Sequence, residues 1–326
     1  MDDAVRPGCG EVRVQTTIRG DEPAERYEQL HKLVEDHCPR CRTCSPGRCR
    51  SAPSWPSQPD PVGSSAPQGR TRHGPAPTLT DVRIELRAYA ELVDLVAASE
   101  LEVPFGQPRS VKDLVESVGI PHPEIGLLLV DGVAVDFDHR LTGGERVAVY
   151  PPFCELVPDA DADLWHAPPE PCRFVLDVHL GTLARRLRLL GFDSWYRTDA
   201  DDAELARVAV DEQRILLTRD RELLMRRVIQ HGYCPRSDDP EEQAIEVVRR
   251  YGLAERRAPL TRCVRCNGEL TPVDKADVLN ELPPRTRRAF DTFARCPRCE
   301  QLYWPGSHVD ALTTFLARVA DESAMH

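Results

Sequence analysis

Apolar positions between residues 172 and 255 follow two alternating patterns. Phe174, Val175 and Leu176 form a short run, apolar on both faces, that ends in Asp177, as a buried parallel strand does where it leaves its sheet. Leu180, Leu183, Ala184, Leu187 and Leu190 then recur at helical spacing, which predicts an amphipathic helix with Gly191 just past its end and Arg185, Arg186 and Arg188 on its other faces. A short strand at 194–196 follows, and then a second helix that Asp201 or Asp202 can cap, with Leu205, Val208 and Ala209 on its apolar side. Ile215, Leu216 and Leu217 make a third strand that runs into Thr218-Arg219-Asp220. Helices from Asp220 through Val228 and over 241–251 complete this α/β segment.

Right-handed crossovers place the ends of parallel strands on one edge of the sheet, so Asp177 and Asp220 share it, and Asp202, at a helix start, belongs there too. Ligands bind at that carboxyl edge in open α/β sheets. Convergent carboxylates repel one another unless a cation neutralises them, and hard oxygen ligands with room for water suit Mg²⁺ or Mn²⁺, which can activate water against a phosphodiester. The alternative is that Asp202 and Asp220 are helix caps and Asp177 a turn residue.

Residues 81–153 carry a different pattern. Val82, Ile84 and Leu86 alternate as one strand, and Leu101, Val103 and Phe105 as another. Ser110 with Asp113 three residues on opens a helix that Gly119 stops. Asp131-Gly132 turns strand 127–130 into strand 133–137, and 147–150 closes the set. A ββαββ order with a single helix predicts a small α+β domain of β-grasp type. Further upstream, residues 1–44 hold one alternating strand and one helix, too little to bury a core, and the Pro-, Ser- and Gly-rich stretch 45–80 reads as a flexible linker. Residues 154–171 form a second, acidic linker.

Charge sharpens this division. The net charge is −11, yet residues 172–326 hold 25 basic and 25 acidic side chains, so the whole deficit lies upstream. Residues 256–299 carry ten basic and five acidic residues, a local excess suited to phosphate contact, whereas the β-grasp segment has 13 acids against six bases and disfavours RNA on its surface. The start MDDAVRPG lacks signal-peptide character and no apolar run approaches a membrane span, so a cytoplasmic protein without membrane contact is expected.

In such a chain the twelve cysteines read as metal ligands or free thiols rather than disulfides. Cys263-x₂-Cys266 and Cys296-x₂-Cys299 supply four thiolates at the spacing of a closed structural zinc site. Arg262, Arg265, Arg295 and Arg298 flank these knuckles, as an RNA-backbone platform or as a solvated basic face. Tyr303, Trp304, Gly306 and His308 follow, where aromatics can stack on a base or pack the ribbon, and His308 can reach phosphate. Cys38, Cys41, Cys44 and Cys49 have spacings that zinc or an iron-sulfur centre could use, or are unligated thiols.

The runs FVLDVHLGTLARRLRLLGFD, DDAEL, ILLTRD, TRCVRCNGEL and ARCPRCEQLYWPGSH together resemble the Mut-seven-C RNase family over about 172–319. The resemblance implies a PIN-like core at 172–255, with a zinc ribbon and C-terminal helix at 256–320. Its activity would be that of a metal-dependent ribonuclease with Asp177, Asp202 and Asp220 on Mg²⁺ or Mn²⁺. A fourth acid, usual in PIN domains, falls among Asp193, Asp199, Glu204 and Glu222. Within that reading Arg185 and Arg186 offset phosphate charge, Thr218 positions water or Asp220, and Arg262, Arg265, Arg298 and His308 contact RNA. Residues 81–153 resemble the ubiquitin-like domain that precedes Mut-seven-C domains and is related to sulfur carriers. The Gly-Gly terminus that carrier chemistry needs is missing, which leaves docking of a protein partner or a structural role. Residues 11–39 resemble the carboxyl-terminal end of OsmC-like proteins, with too little of that fold to imply its activity. The rival to catalysis is a non-catalytic RNA- or ribosome-associated adaptor whose β-grasp domain recruits a partner.

Overall fold

The computed structural model describes residues 82–96, 98–152, 164, 166–305, 315, 317 and 318. All belong to the compact unit His73–His326. The OsmC-like segment, the Cys38 to Cys49 cluster, the linker 45–80, most of 154–171 and His308 lie outside the described residues.

The first domain contains β1 (Arg83–Ala88), β2 (Glu100–Pro104), β3 (Arg109–Ser110), α1 (Val111–Ser117), β4 (Leu127–Val130), β5 (Val133–Ala134), β6 (Arg140–Leu141) and β7 (Arg146–Tyr150). Five strands form one sheet in the order β2-β1-β7-β4-β5, with β1 and β7 parallel at its centre, as the ββαββ pattern requires. Ser110 accepts a hydrogen bond from the Asp113 amide at 3.0 Å and Asp113 accepts one from the Ser110 amide at 3.3 Å, so α1 opens in a full capping box. Asp131 and Gly132, at φ 49° and 86°, make the tight β4–β5 turn. β5 is shorter than the expected 133–137, because Asp136 accepts the Asp138 amide and turns the chain away from the sheet.

The second domain contains β8 (Phe174–Leu176), α2 (Gly181–Leu189), β9 (Ser194–Tyr196), α3 (Asp202–Asp211), β10 (Ile215–Leu217), α4 (Arg221–Leu224), β11 (Gly232–Tyr233) and α5 (Pro240–Arg250). Its strands are all parallel, in the order β11-β10-β8-β9. On one face Phe174, Leu176, Ile215 and Leu217 pack with Leu183 and Leu187 of α2 and Ala244 and Val248 of α5. On the other, Val175 and Leu216 share a cluster with Leu205 and Val208 of α3 and Leu223 and Leu224 of α4. The helix expected from Asp220 through Val228 is a single turn, and Val228 is exposed.

That second cluster does not stop at the domain boundary. It is continuous with the β-grasp core of Ile84, Leu114, Val115 and Ile120. A polar seam seals the junction. Glu124, fully buried, is ion-paired with Arg236 and accepts the Cys234 amide at 2.9 Å. Buried Arg250 bonds Glu91 at 2.7 Å and the Glu124 carbonyl at 3.3 Å. Arg221 donates to the Leu95 and Gly119 carbonyls, and a ring nitrogen of His122 meets the Ile229 carbonyl at 2.9 Å. Burial alone would make Arg236 easier to deprotonate, but the Glu124 carboxylate outweighs it and raises the guanidinium above its ordinary value.

The ribbon adds β12 (Thr271–Val273), α6 (Lys275–Val278), α7 (Pro284–Ala289), β13 (Phe293–Arg295) and β14 (Leu302–Tyr303), its strands antiparallel in the order β12-β13-β14. The two short helices fill the long interval between the knuckles, and Val278, Leu282 and Phe293, with Trp304 against them, form its small core.

Removing one partner of a buried ion pair strands the other charge, which costs about 3–5 kcal/mol. Glu124→Ala or Arg236→Ala is therefore expected to lower stability by about that amount in urea unfolding. A loss of under about 1 kcal/mol, the scale of an exposed pair, would mean that the seam does not hold the domains together.

Candidate functional site

The chain leaves β8 through α2 on one face and leaves β10 through α4 on the other, and these two strands are neighbours. In open α/β sheets ligands bind in the crevice outside the carboxyl ends of two such strands. Asp177 follows β8 and Thr218-Arg219-Asp220 follows β10, so both predicted acids stand at this crevice.

Thr218 ties them together. Fully buried, it donates its hydroxyl to Asp177 Oδ2 at 2.7 Å and accepts the Asp220 amide at 2.9 Å. Asp220 caps α4, its Oδ1 accepting the Glu222 and Leu223 amides at 2.9 and 3.3 Å. Asp177 Oδ1 and Asp220 Oδ2 have no protein hydrogen bond among the described residues. Tyr196 walls one side, donating to the Val178 carbonyl at 2.9 Å. Gly181 is needed beneath it, since a Cβ there would stand 2.5 Å from the Tyr196 oxygen.

Asp202 behaves differently. Asp201 takes the cap of α3, accepting the Glu204 amide at 2.7 Å, and exposed Asp202 pairs with Arg226 at 3.2 Å. The expected three-carboxylate cluster is thus not assembled: among the described residues, only four cysteines bring three or more metal-ligating atoms within 4.8 Å of one another. The physical reason is that Arg226, just past α4, already supplies Asp202 with a counter-charge. Of the candidate fourth acids, Asp193 is excluded from this edge, because it precedes β9 and so lies at the sheet's amino end, paired with Arg214 at 2.7 Å. Asp199 and Glu204 both pair with Arg197, and Glu222 is exposed one residue into α4.

The cysteine group lies at the ribbon. Cys263 and Cys299 sulfurs are 3.5 Å apart and Cys266 and Cys296 sulfurs 3.4 Å, close to the roughly 3.8 Å edge of a tetrahedron with Zn–S bonds near 2.3 Å. Four thiols at that spacing fit zinc with no position left for water. Burial works against the Cys263 thiolate, but donors from Tyr303, at 3.1 Å, and from the Cys266 amide outweigh it and hold that thiol down at about 6.

Two residues fix this ribbon to the core: Arg188, which the helical pattern placed on the polar faces of α2 but which is buried, and Asn267, which the pattern did not single out. Arg188 of α2 is buried and donates to the Val264 and Arg265 carbonyls at 3.1 and 3.2 Å and to Ser194 at 2.8 Å. Its position four residues after Ala184, on the edge of the apolar stripe, was the available signal. Asn267, in the left-handed region at φ 67°, accepts the Ser194 amide at 3.0 Å and donates to Asp193 at 2.8 Å.

The predicted RNA contacts divide accordingly. Arg186 pairs with Glu241 at 2.8 Å and lies over the Phe315 ring, and Arg262 bridges Asp193 and Glu269 at 3.7 Å each. Thr218 is sealed beneath the acids, away from any strand. Arg298 is exposed and only grazes the Cys266 carbonyl at 3.5 Å. Arg185 and Arg265 line one cleft with Val264, Gln301 and Tyr303.

A search of curated proteins finds no match. Among solved structures, the putative molybdopterin converting factor, subunit 1, from Pyrococcus furiosus is 23% identical over 22% of this chain and 100% of its own, with a TM-score of 0.19. The family model described as Mut7-C ubiquitin matches residues 81–157, and that described as Mut7-C RNAse domain matches residues 172–316. The chain therefore carries a Mut7-C ubiquitin domain followed by a Mut7-C RNAse domain, the family and layout that its motifs resemble.

Proposed function

We propose that this chain is a metal-dependent ribonuclease of PIN-like type that hydrolyses RNA phosphodiesters at the crevice between β8 and β10. The carrying observation is the Asp177–Thr218–Asp220 arrangement, which fixes two carboxylates at a ligand-binding edge and leaves an oxygen of each open. Mg²⁺ and Mn²⁺ suit such a donor set, since they take one or two carboxylates and keep water and substrate phosphate as their other ligands. Bound there, the ion would supply an activated water and charge relief for the phosphodiester. Asp177 and Asp220 would hold it, Thr218 keeps both carboxylates oriented, and Tyr196 closes one wall. Asp202 would complete the set only by parting from Arg226. The zinc ribbon is structural in this reading.

The rival reading, a non-catalytic RNA- or ribosome-associated adaptor, draws on that same Asp202–Arg226 pair, which leaves two acids rather than three at the edge. The β-grasp domain would then serve to dock a protein partner. As to place in the cell, no helix among the described residues is long and apolar enough to cross a membrane.

Labelled single-stranded and structured RNAs, incubated with Mn²⁺, with Mg²⁺ and with chelator, test the reading. Wild type should cut only with metal, and Asp177→Asn should abolish cutting while retaining its circular dichroism and zinc content. Binding of RNA by a folded wild type that never cuts would establish the adaptor instead. Thr218→Val should slow cleavage by about 10- to 100-fold, the range seen when a group orienting a metal ligand is lost, and Thr218→Ser should restore it. Equal rates in Val and Ser variants would remove Thr218 from the site.

The ribbon makes a separate prediction. Metal analysis should find one zinc per chain, and Cys296→Ser should lose it and unfold the ribbon at lower denaturant. Full zinc retention in that variant would rule out the four-thiolate site.

A further inference from the structure

Many arginines of the RNAse domain are spent on carboxylates, as in the pairs Arg197–Glu204, Arg214–Asp193 and Arg226–Asp202. Arg185 and Arg265 have no carboxylate partner among the described residues. Both are exposed, and both line a cleft of about 320 Å³ completed by Val264, Gln301 and Tyr303. Arg185 comes from the second turn of α2 and Arg265 from the first cysteine knuckle, and Arg188 fixes that knuckle to α2 through the Arg265 carbonyl. Two unpaired guanidinium groups at one cleft repel each other unless an anion lies between them.

We infer that this cleft binds one nucleotide of a single-stranded RNA, its phosphate between Arg185 and Arg265 and its base on the Tyr303 ring. The inference rests on the ribonuclease reading and adds to it the form of RNA and the place where the strand is held. A cavity of this size lies at the lower end of small-ligand sites and takes one base rather than a base pair. Unstacked bases on aromatic rings beside cationic side chains are the usual means of holding single strands. Four residues of helix, about 6 Å, separate Arg185 from Gly181 under the Tyr196 wall, so a strand seated here is led toward Asp177. The Tyr303 hydroxyl meets Cys263 Sγ at 3.1 Å, so the stacking ring is anchored on the cysteine site itself.

The test is fluorescence anisotropy with a labelled 12-nucleotide oligo(U) and with a blunt RNA duplex of equal length. The full chain carrying Asp177→Asn is used, zinc-loaded and without added Mg²⁺ or Mn²⁺, over a range of salt. Adding Arg185→Ala or Arg265→Ala should weaken single-strand binding several-fold and lower the slope of log K against log salt by about 0.7 each. Tyr303→Leu should weaken it about tenfold, with Tyr303→Phe retaining most of the affinity. Arg207→Ala, on the exposed side of α3, serves as the control and should bind as the parent does.

Parent-like affinity and slope in both arginine variants at full zinc content would overturn the site, and would leave these cations as counter-charge to the cysteine cluster. Equally tight, arginine-dependent binding of the duplex would overturn it as well. The readout does not use cleavage. If wild type cuts RNA while the arginines leave binding unchanged, this site alone fails. If the arginines govern binding and wild type never cuts, the ribonuclease reading fails and the nucleotide site stands.

Discussion

A sheet of parallel strands two or three residues long that is apolar on both faces cannot stand with one face in water, and the rest of this molecule follows from that constraint. Phe174, Leu176, Ile215 and Leu217 are covered by α2 and α5, in a self-contained cluster within the RNAse domain. Val175 and Leu216 face the other way, where α3 and the single turn of α4 provide less cover. The β-grasp domain extends that cover, so its core and the sheet's second face form one continuous apolar cluster. Because the chain exposes backbone amides and a buried arginine at that junction, a fully buried carboxylate is required to meet them. Glu124 meets both. The two domains that the sequence divides by composition are thus joined energetically.

Local signals in the sequence mapped well onto local structure, and failed where the outcome depended on a distant partner. The Ser110/Asp113 capping box, the Asp131-Gly132 turn, the stripe of α2 and the paired knuckles each depend on residues within a few positions of one another, and each formed as expected. The position of Asp177 and Asp220 at one edge was legible too, because crossover handedness is a general rule. Asp202 was not. Its orientation was decided by Asp201 taking the cap and by Arg226, 24 residues away, supplying the charge. Likewise Glu124 sits in a turn with no periodicity to mark it, and its partner Arg236 lies 112 residues on. Buried polar groups must find partners, but which partners they find is a property of the fold.

The same logic sorts the arginines. Sequence reading treats a basic cluster as a phosphate-facing surface, yet Arg186, Arg188, Arg262 and Arg295 are engaged by groups of the chain itself, with Glu241, two knuckle carbonyls, Asp193 and Glu281. What remains free is set by subtraction. Helix α2 runs from the crevice at its start to the ribbon at Arg188, and it therefore fixes the cysteine site relative to the two acids. Rigid placement of a binding element relative to a reactive edge is what hydrolysis of a flexible strand demands, since misalignment of about 1 Å is costly to rate.

The end of the β-grasp domain bears on what that domain can do. A carrier of its general shape would need an extended, accessible tail for activation, whereas here Pro151 and Pro152, the residues next after β7, pack against Gly126. The Gly126 amide donates to the Tyr150 carbonyl at 2.9 Å, and a Cβ at Gly126 would come within 2.5 Å of Pro152, so the tail packs against backbone. Tyr150 stacks on Tyr89 with ring centres 4.2 Å apart. Freeing Pro151 and Pro152 would break these contacts and unseat the strand that pairs in parallel with β1 at the centre of the sheet. In this chain the end of β7 is thus part of the sheet whose core covers the second face of the RNAse sheet.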